Sequence, residues 1–242
     1  MSRLPRPLPL DAATPLVAYH IARTPQDIPT QRGITYVWAG NGLFKHGWNG
    51  TTRVLLPVVS QETPGLGVVQ PFISWRAWRD PLPATLLGEA LADALAHYRA
   101  DAPQERQWFI VLRDGMPVLQ TPIQRGGSAH LHYEQPHDPV LCDIHSHHAM
   151  RPFFSSTDDT DDAWLGLSVV LGRIGSPWPT AVARLNCYGA HYAIPLGHTF
   201  AGQAHAEGVT LRDEADVARQ QLAWGKEPVA PEEACDAAVI PT

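Results

Sequence analysis

The chain has 242 residues, of which 44% are apolar and 17% are charged, so it has enough apolar side chains for one large domain or two small ones. Its 18 basic and 24 acidic residues leave a net charge of −6, which argues against nucleic acid or anionic lipid as a partner. Three cysteines without a CxxC pair exclude a disulfide framework. No stretch approaches the roughly 20 apolar residues of a membrane span, so we expect a cytoplasmic protein.

The first third of the chain is predicted to be β-rich. Apolar and β-branched residues form short runs at residues 34–38, 43–44, 51–60 and 67–75. The Gly40-Asn41-Gly42 sequence between the first two runs is typical of a hairpin turn. We therefore assign residues 1–82 to a β-rich amino-terminal region. Substrate docking, oligomerisation and cover for a neighbouring sheet all stay open as its role.

Apolar residues at spacings of three and four then predict a helix over residues 83–99. Further strands are predicted at residues 108–112, 118–123, 130–133, 139–147, 167–171 and 181–194. Helical patterning returns over residues 210–224, and the Pro- and acid-rich end is expected to be a flexible tail. The pattern predicts an α+β fold with a domain over residues 83–224 and a tail over residues 225–242.

Histidine is the unusual residue type, because six of the 12 histidines lie between His130 and His148. On a strand, side chains alternate between faces, so His145 and His147 can reach one metal ion and Asp143 shares their face. Cys142 and Ser146 face the other way. We therefore interpret Cys142 as a buried thiol and not as a ligand.

Seven residues after His147, Ser155 and Asp158 form a Ser-x-x-acid pattern that resembles a capping box at the start of a helix. Two imidazoles and one carboxylate, with a fourth position for water, are typical of catalytic zinc. A simpler interpretation stays open: an isolated His-x-His pair is more often structural or exposed, and Ser155 and Asp158 could be only a helix cap.

The spacing His-Ser-His, seven residues, Ser, two residues, Asp resembles that of the JAMM (JAB/MPN+) metalloproteases, over about residues 83–194. The resemblance implies an MPN/JAB-like, cytidine-deaminase-like mixed sheet flanked by helices. It also implies Zn2+ held by His145, His147 and Asp158, and Ser155 as a catalytic residue that stabilises an oxyanion or orients the site. The family removes or processes ubiquitin-like modifiers by zinc-assisted hydrolysis.

The same family has an upstream glutamate between a helix and a strand. The resemblance implies that Glu105 is this glutamate and acts as a general base. The chain departs from the family in two places. Bulky residues 106–109 replace a small, Gly-containing strand, and His148 replaces a proline. Asp143 and His148 are candidates for contacts behind the ligands. For His148, an exposed loop position and a spare-ligand role also stay open, the latter being disfavoured.

The runs HSHHAMRPFFSSTDDTDD and GITYVWAGNGLFKHG also resemble the JAMM-type component of bacterial PRTRC cassettes. Those cassettes encode a ubiquitin-like protein and a ThiF-like activating enzyme, so the resemblance implies both as partners. The expected function is a zinc peptidase or isopeptidase acting at the carboxyl end of the ubiquitin-like protein. The alternative is a catalytically silent MPN-type scaffold. An amidohydrolase barrel, suggested by the D-x-H-x-H pattern, would need about 200 residues, but only 95 follow His147.

Overall fold

The amino-terminal region forms a five-stranded sheet in a computed structural model, which describes residues 18–102, 104–126 and 131–216. Its strands lie in chain order: β1 (Ala18–Ile21), β2 (Gly33–Ala39), β3 (Gly42–Trp48), β4 (Thr52–Ser60) and β5 (Phe72–Trp75). Strands β1 and β2 are parallel, and the other neighbours are antiparallel. The predicted hairpin turn is confirmed, because Ala39 pairs with Gly42 across a two-residue loop. The prediction at residues 67–75 was too long.

The rest of the described chain contains a second, larger sheet, two complete helices and several short strand pairs. In chain order the elements are β6 (Leu82–Pro83), α1 (Ala84–His97), β7 (Gln107–Arg113), β8 (Met116–Gln120), β9 (Gln124–Gly126), β10 (Leu131–Tyr133), β11 (Val140–Ser146), α2 (Ser156–Asp161), β12 (Leu165–Gly172), β13 (Thr180–Cys187), β14 (Ala190–Ile194), a 3-10 helix (Leu196–His198), β15 (Phe200–Ala201), β16 (His205–Ala206), β17 (Val209–Thr210) and β18 (Arg212–Asp213).

The larger sheet is mixed and has seven strands. Six of them follow the order β14-β13-β12-β11-β7-β8, and β18 also pairs with β13. Strands β11 and β12 are parallel, as are β13 and β18, whereas the other pairs are antiparallel. The α+β class is therefore confirmed. Strand β11 lies in the middle of the sheet, and its carboxyl end lies at one end of the sheet.

The helix predicted over residues 210–224 is wrong at its start. Residues 209–210 and 212–213 form β17 and β18, and Arg212 and Asp213 pair with Thr180 and Ala181 of β13. Helical structure begins only at Glu214. Residues 217–224 and the predicted tail 225–242 lie outside the described residues.

One face of the larger sheet carries most of the apolar core. Alternate residues of β12 such as Leu167 and Val169 are fully buried there, against the leucines of α1. Val54 and Leu56 of β4 join the same cluster, whereas Leu55 between them packs into a smaller cluster within the amino-terminal sheet. Because successive side chains of β4 point to opposite faces, this strand contributes to both apolar clusters. No helix in the described part of the chain is long and apolar enough to cross a membrane.

Candidate metal centre

The opposite face of the larger sheet is polar near its centre. Register places Asp143 of β11 beside Ser168 of β12, and Ser168 beside Arg184 of β13. His145 lies on the same face as Asp143, two residues further along β11. Cys142 and Ile144 of the same strand are fully buried on the apolar face. The prediction that Cys142 is a buried thiol is therefore confirmed.

Three side chains converge where β11 ends. The Nε2 atoms of His145 and His147 lie 3.2 Å apart, and the Nε2 atom of His145 lies 3.5 Å from Oδ1 of Asp158. Candidate ligand atoms of all three lie within 4.8 Å of one another. Ligand atoms in a tetrahedral zinc site with bonds of about 2.0–2.1 Å lie about 3.3 Å apart. The donor set and its spacing therefore fit a zinc ion.

Both imidazoles favour the neutral form that metal binding requires. Burial, followed by the neighbouring His145, lowers the pKa of His147 to about 4. Burial also lowers the pKa of His145, although Asp158 opposes that effect. Nδ1 of His147 is buried and has no hydrogen-bond partner among the described residues. Its backbone N–H donates to the carbonyl of Leu171 at 2.8 Å, which fixes the chain just after β11.

A capping box holds Asp158 at the start of α2. The backbone N–H of Ser155 donates to Oδ2 of Asp158 at 2.6 Å, and the backbone N–H of Asp158 donates to Oγ of Ser155 at 3.2 Å. Oδ2 is thus occupied by the cap, while Oδ1 faces His145. The cap and the ligand arrangement, which the sequence offered as alternatives, occur together. Ser155 uses its oxygen in the cap and keeps its own hydroxyl hydrogen to donate.

Asp143 lies behind His145. Its Oδ1 atom is 4.0 Å from Nδ1 of His145, too far for a hydrogen bond. Burial, followed by the negative charge of Asp162, raises the pKa of Asp143 to about 8, although a hydrogen bond with Gln107 opposes this shift. The carboxyl group therefore favours its protonated form at neutral pH.

Glu105 lies two residues before β7, and its backbone runs beside the end of β11. The carbonyl of Arg106 accepts a hydrogen bond from the N–H of Ser146 at 3.0 Å, and the N–H of Arg106 donates to Oγ of Ser146 at 3.2 Å. Because Gln107 pairs with His145 in an antiparallel register, Glu105 lies opposite His147 along the chain. The backbone therefore brings Glu105 to the same end of the sheet as the ligands.

His148 is buried, with 7% of its surface exposed, so it is not the exposed loop residue that the sequence allowed. Its φ of 48° is left-handed and turns the chain sharply after His147. Its ring hydrogen-bonds the backbone of Gln104, next to Glu105. His148 thus connects the end of the ligand strand to the segment that carries Glu105.

Sequence reasoning missed Arg184 and the two phenylalanines before α2. Arg184 is 4% exposed and forms ion pairs with Asp159 and Asp162. The ring of Phe153 packs edge-on against His147, with ring centroids 4.6 Å apart, and Phe154 packs edge-on against His145 at 6.5 Å. The one available signal was an arginine inside a largely apolar strand.

Comparison with known families agrees with this geometry. Residues 84–188 match the family model described as prokaryotic homologs of the JAB domain. The match begins at the first residue of α1 and ends one residue after β13, so it spans Glu105 and the three converging side chains. Over these residues the chain is therefore similar to JAB domains. No curated protein matches the chain, and the narrower PRTRC resemblance stays a prediction.

Proposed function

We propose that the protein is a zinc-dependent peptidase or isopeptidase that acts at the carboxyl end of a ubiquitin-like protein. The observation that carries the proposal is the convergence of His145, His147 and Asp158 within 4.8 Å inside a JAB domain. The JAB family includes enzymes that cleave ubiquitin-like proteins. The cytidine-deaminase-like strand arrangement implied by the resemblance stays a prediction.

The residues of the chain would divide the reaction between them. A zinc ion in the site supplies a Lewis acid that polarises the scissile carbonyl and activates water. Glu105 would accept a proton from the attacking water and deliver it to the departing amine, which is the work of a general acid and base. The hydroxyl of Ser155 would donate to the oxyanion as negative charge develops there.

The proposed substrate bond is an amide at the carboxyl end of the modifier, either an isopeptide on lysine or a linear peptide extension. Apolar surface close to the ligands supports binding of an extended chain: Met150 and Phe153 are each 48% exposed in the segment between His147 and α2. We include the ThiF-like activating enzyme as a second proposed partner, since it acts on the same modifier end.

Metal content tests the first half of the proposal. The purified protein should bind about one zinc ion per chain, and His145→Ala and Asp158→Ala should each lose it. His132→Ala is a matched control, because His132 is an exposed histidine of the same region and lies outside the converging set. Wild-type protein that folds but binds no zinc would refute the metal centre.

Hydrolysis tests the second half. Zinc-loaded protein is incubated with a ubiquitin-like precursor that carries a carboxyl-terminal extension, and the released fragments are identified by mass. Cleavage at the modifier's carboxyl end, lost in Asp158→Ala, is the expected result. Zinc-loaded protein that binds the precursor without cleaving it would support the scaffold alternative instead.

A further inference from the structure

Helix α2 carries the ligand Asp158 but has little of its own to hold it in place. It has six residues, and none of them is buried. Isolated helices of this length are unstable in water, and their position in proteins depends on tertiary contacts. Asp161 and Asp162 also lie at its carboxyl end, where negative charge opposes the helix dipole. The position of Asp158 therefore depends on contacts from outside the helix.

Arg184 of β13 supplies these contacts from the sheet below. Its Nη2 and Nε atoms donate to Oδ2 of Asp162 at 2.8 and 3.1 Å, and Nη1 donates to Asp159. The guanidinium carbon also lies 3.9 Å from the ring centroid of Phe154, the residue before the cap. One buried side chain thus contacts the residues just before α2, within it and at its end.

The charge of Arg184 is well placed for this role. Its side chain is 5% exposed and that of Asp162 is 10% exposed, so little solvent screens their interaction. Oδ1 of Asp162 accepts a further hydrogen bond from Nε1 of Trp164 at 3.0 Å. The pair is therefore supported by additional hydrogen bonds, as a buried ion pair must be to persist.

We propose that Arg184 is a positioning residue of the metal centre: it fixes α2 against the sheet and thereby holds the carboxylate of Asp158 where His145 and His147 converge. This inference rests on the metal centre of the proposed function. Arg184 touches neither the metal ligands' donor atoms nor the proposed substrate bond in the contacts described above. It acts through Asp159, Asp162 and Phe154.

The test measures zinc affinity by chelator competition in Arg184→Lys, which keeps a charge but loses the forked hydrogen bonds and the stacking. We expect the zinc dissociation constant to rise about 10–100-fold, the range typical of losing interactions that orient metal ligands from outside. The absorption spectrum of the cobalt-substituted protein should change as well, because the ligand geometry changes. Both readouts are independent of hydrolytic activity.

The double variant Arg184→Gln/Asp162→Asn covers the case in which the lysine variant does not fold. Neutralising both partners avoids leaving one buried charge unpaired, so this protein should fold and still show weakened zinc binding. Arg113→Lys is the matched control. Arg113 makes a similar pair of bonds to Asp138, at 2.9 and 2.8 Å, but it is half exposed and lies at the opposite end of β7 from Gln107, which pairs with His145.

A second control separates positioning from general destabilisation. Leu167→Ala weakens the apolar face of the sheet, and it should leave the zinc dissociation constant within about twofold of the wild type. If a folded Arg184 variant also binds zinc within twofold of the wild type with an unchanged cobalt spectrum, the positioning role is wrong. If the wild type itself binds no zinc, both the metal centre and the positioning role of Arg184 are wrong.

Discussion

The two faces of the larger sheet are built from the same strands but are covered in different ways. On one face, buried apolar residues such as Leu167 and Val169 pack against α1 and against β4 of the amino-terminal sheet. On the other face, Asp143, His145 and Arg184 lie under a six-residue helix that has no buried residue. Apolar packing stabilises the first face, whereas ion pairs, caps and ring contacts organise the second.

The difference shows how one strand can serve stability and chemistry at once. Because side chains alternate along β11, Ile144 contributes to the apolar core, while the next residue, His145, contributes to the candidate metal centre. The amino-terminal sheet lies on the core face, opposite the ligands. Substitutions at adjacent positions should therefore affect stability and metal chemistry separately.

The largest effect is expected on hydrolysis, at the polar face. Glu105→Gln removes the proposed general base, so the rate should fall about 10²–10⁴-fold while zinc content stays at that of the wild type. The measurement is cleavage of the ubiquitin-like precursor together with metal analysis. Glu89→Gln, at an exposed position on α1, is the control and should retain activity. Unchanged hydrolysis in Glu105→Gln would rule out Glu105 as the base.

The core face should show the largest effect on stability. Leu167 is fully buried, and Leu167→Ala should lower the free energy of unfolding by about 2–5 kcal/mol, since it removes apolar contacts and leaves a cavity. Urea unfolding measures this loss. Zinc binding should persist below the unfolding transition. Loss of zinc from the still-folded variant would show that the two faces are not independent.

Local patterns predicted much of the site. The alternation of a strand placed Asp143, His145 and His147 together, and the Ser-x-x-acid spacing predicted the cap formed by Ser155 and Asp158, which the structure contains. Each of these features involves neighbours in sequence. The runs of apolar residues that predicted the strands and the spacings of three and four that predicted α1 are also local patterns.

Features that depend on distant pairing were missed. The residues before Glu214 looked helical, but pairing of Arg212 with Thr180 places them in a strand. Arg184 lies 26 residues from Asp158 in sequence, and only the order of β11, β12 and β13 brings it under α2. The burial of His148 depends on a left-handed turn that no spacing rule indicates.

Added volume at the contact between the two sheets should also reduce stability, but by less than the Leu167 substitution does. A Cβ atom at Gly47 of β3 would lie 2.6 Å from Cδ1 of Leu165 and 2.7 Å from Sγ of Cys187. Gly47→Ala should therefore lower the free energy of unfolding by about 1–3 kcal/mol, because the core must shift to admit the methyl group. Gly197→Ala, where a Cβ atom would meet nothing within 4 Å, is the control. Equal stabilities would indicate a loose contact between the sheets.

The smallest expected effect is on the pH dependence of the free energy of unfolding, and it arises from a histidine in the amino-terminal sheet. His46 of β3 is fully buried, and its Nε2 atom accepts a hydrogen bond from Nε of Arg53 at 2.9 Å. Burial, followed by the charges of Arg53 and His20, lowers the pKa of His46 to about 4, against about 6.5 in the unfolded chain. Between these values the unfolded chain binds a proton that the folded chain does not, so stability falls as the pH falls.

The variant His46→Gln isolates this contribution, because glutamine can accept the hydrogen bond from Arg53 but does not titrate. Unfolding in urea is measured for zinc-free protein at several pH values between about 4 and 7. The pKa values of His145 and His147 are lowered by burial as well, so the comparison is between slopes. The slope of the wild type should exceed that of the variant by less than about 1.4 kcal/mol per pH unit, the limit for one proton. His97→Gln is the control, because His97 is exposed. Identical slopes for the His46 variant and the wild type would show that His46 titrates normally in the folded sheet.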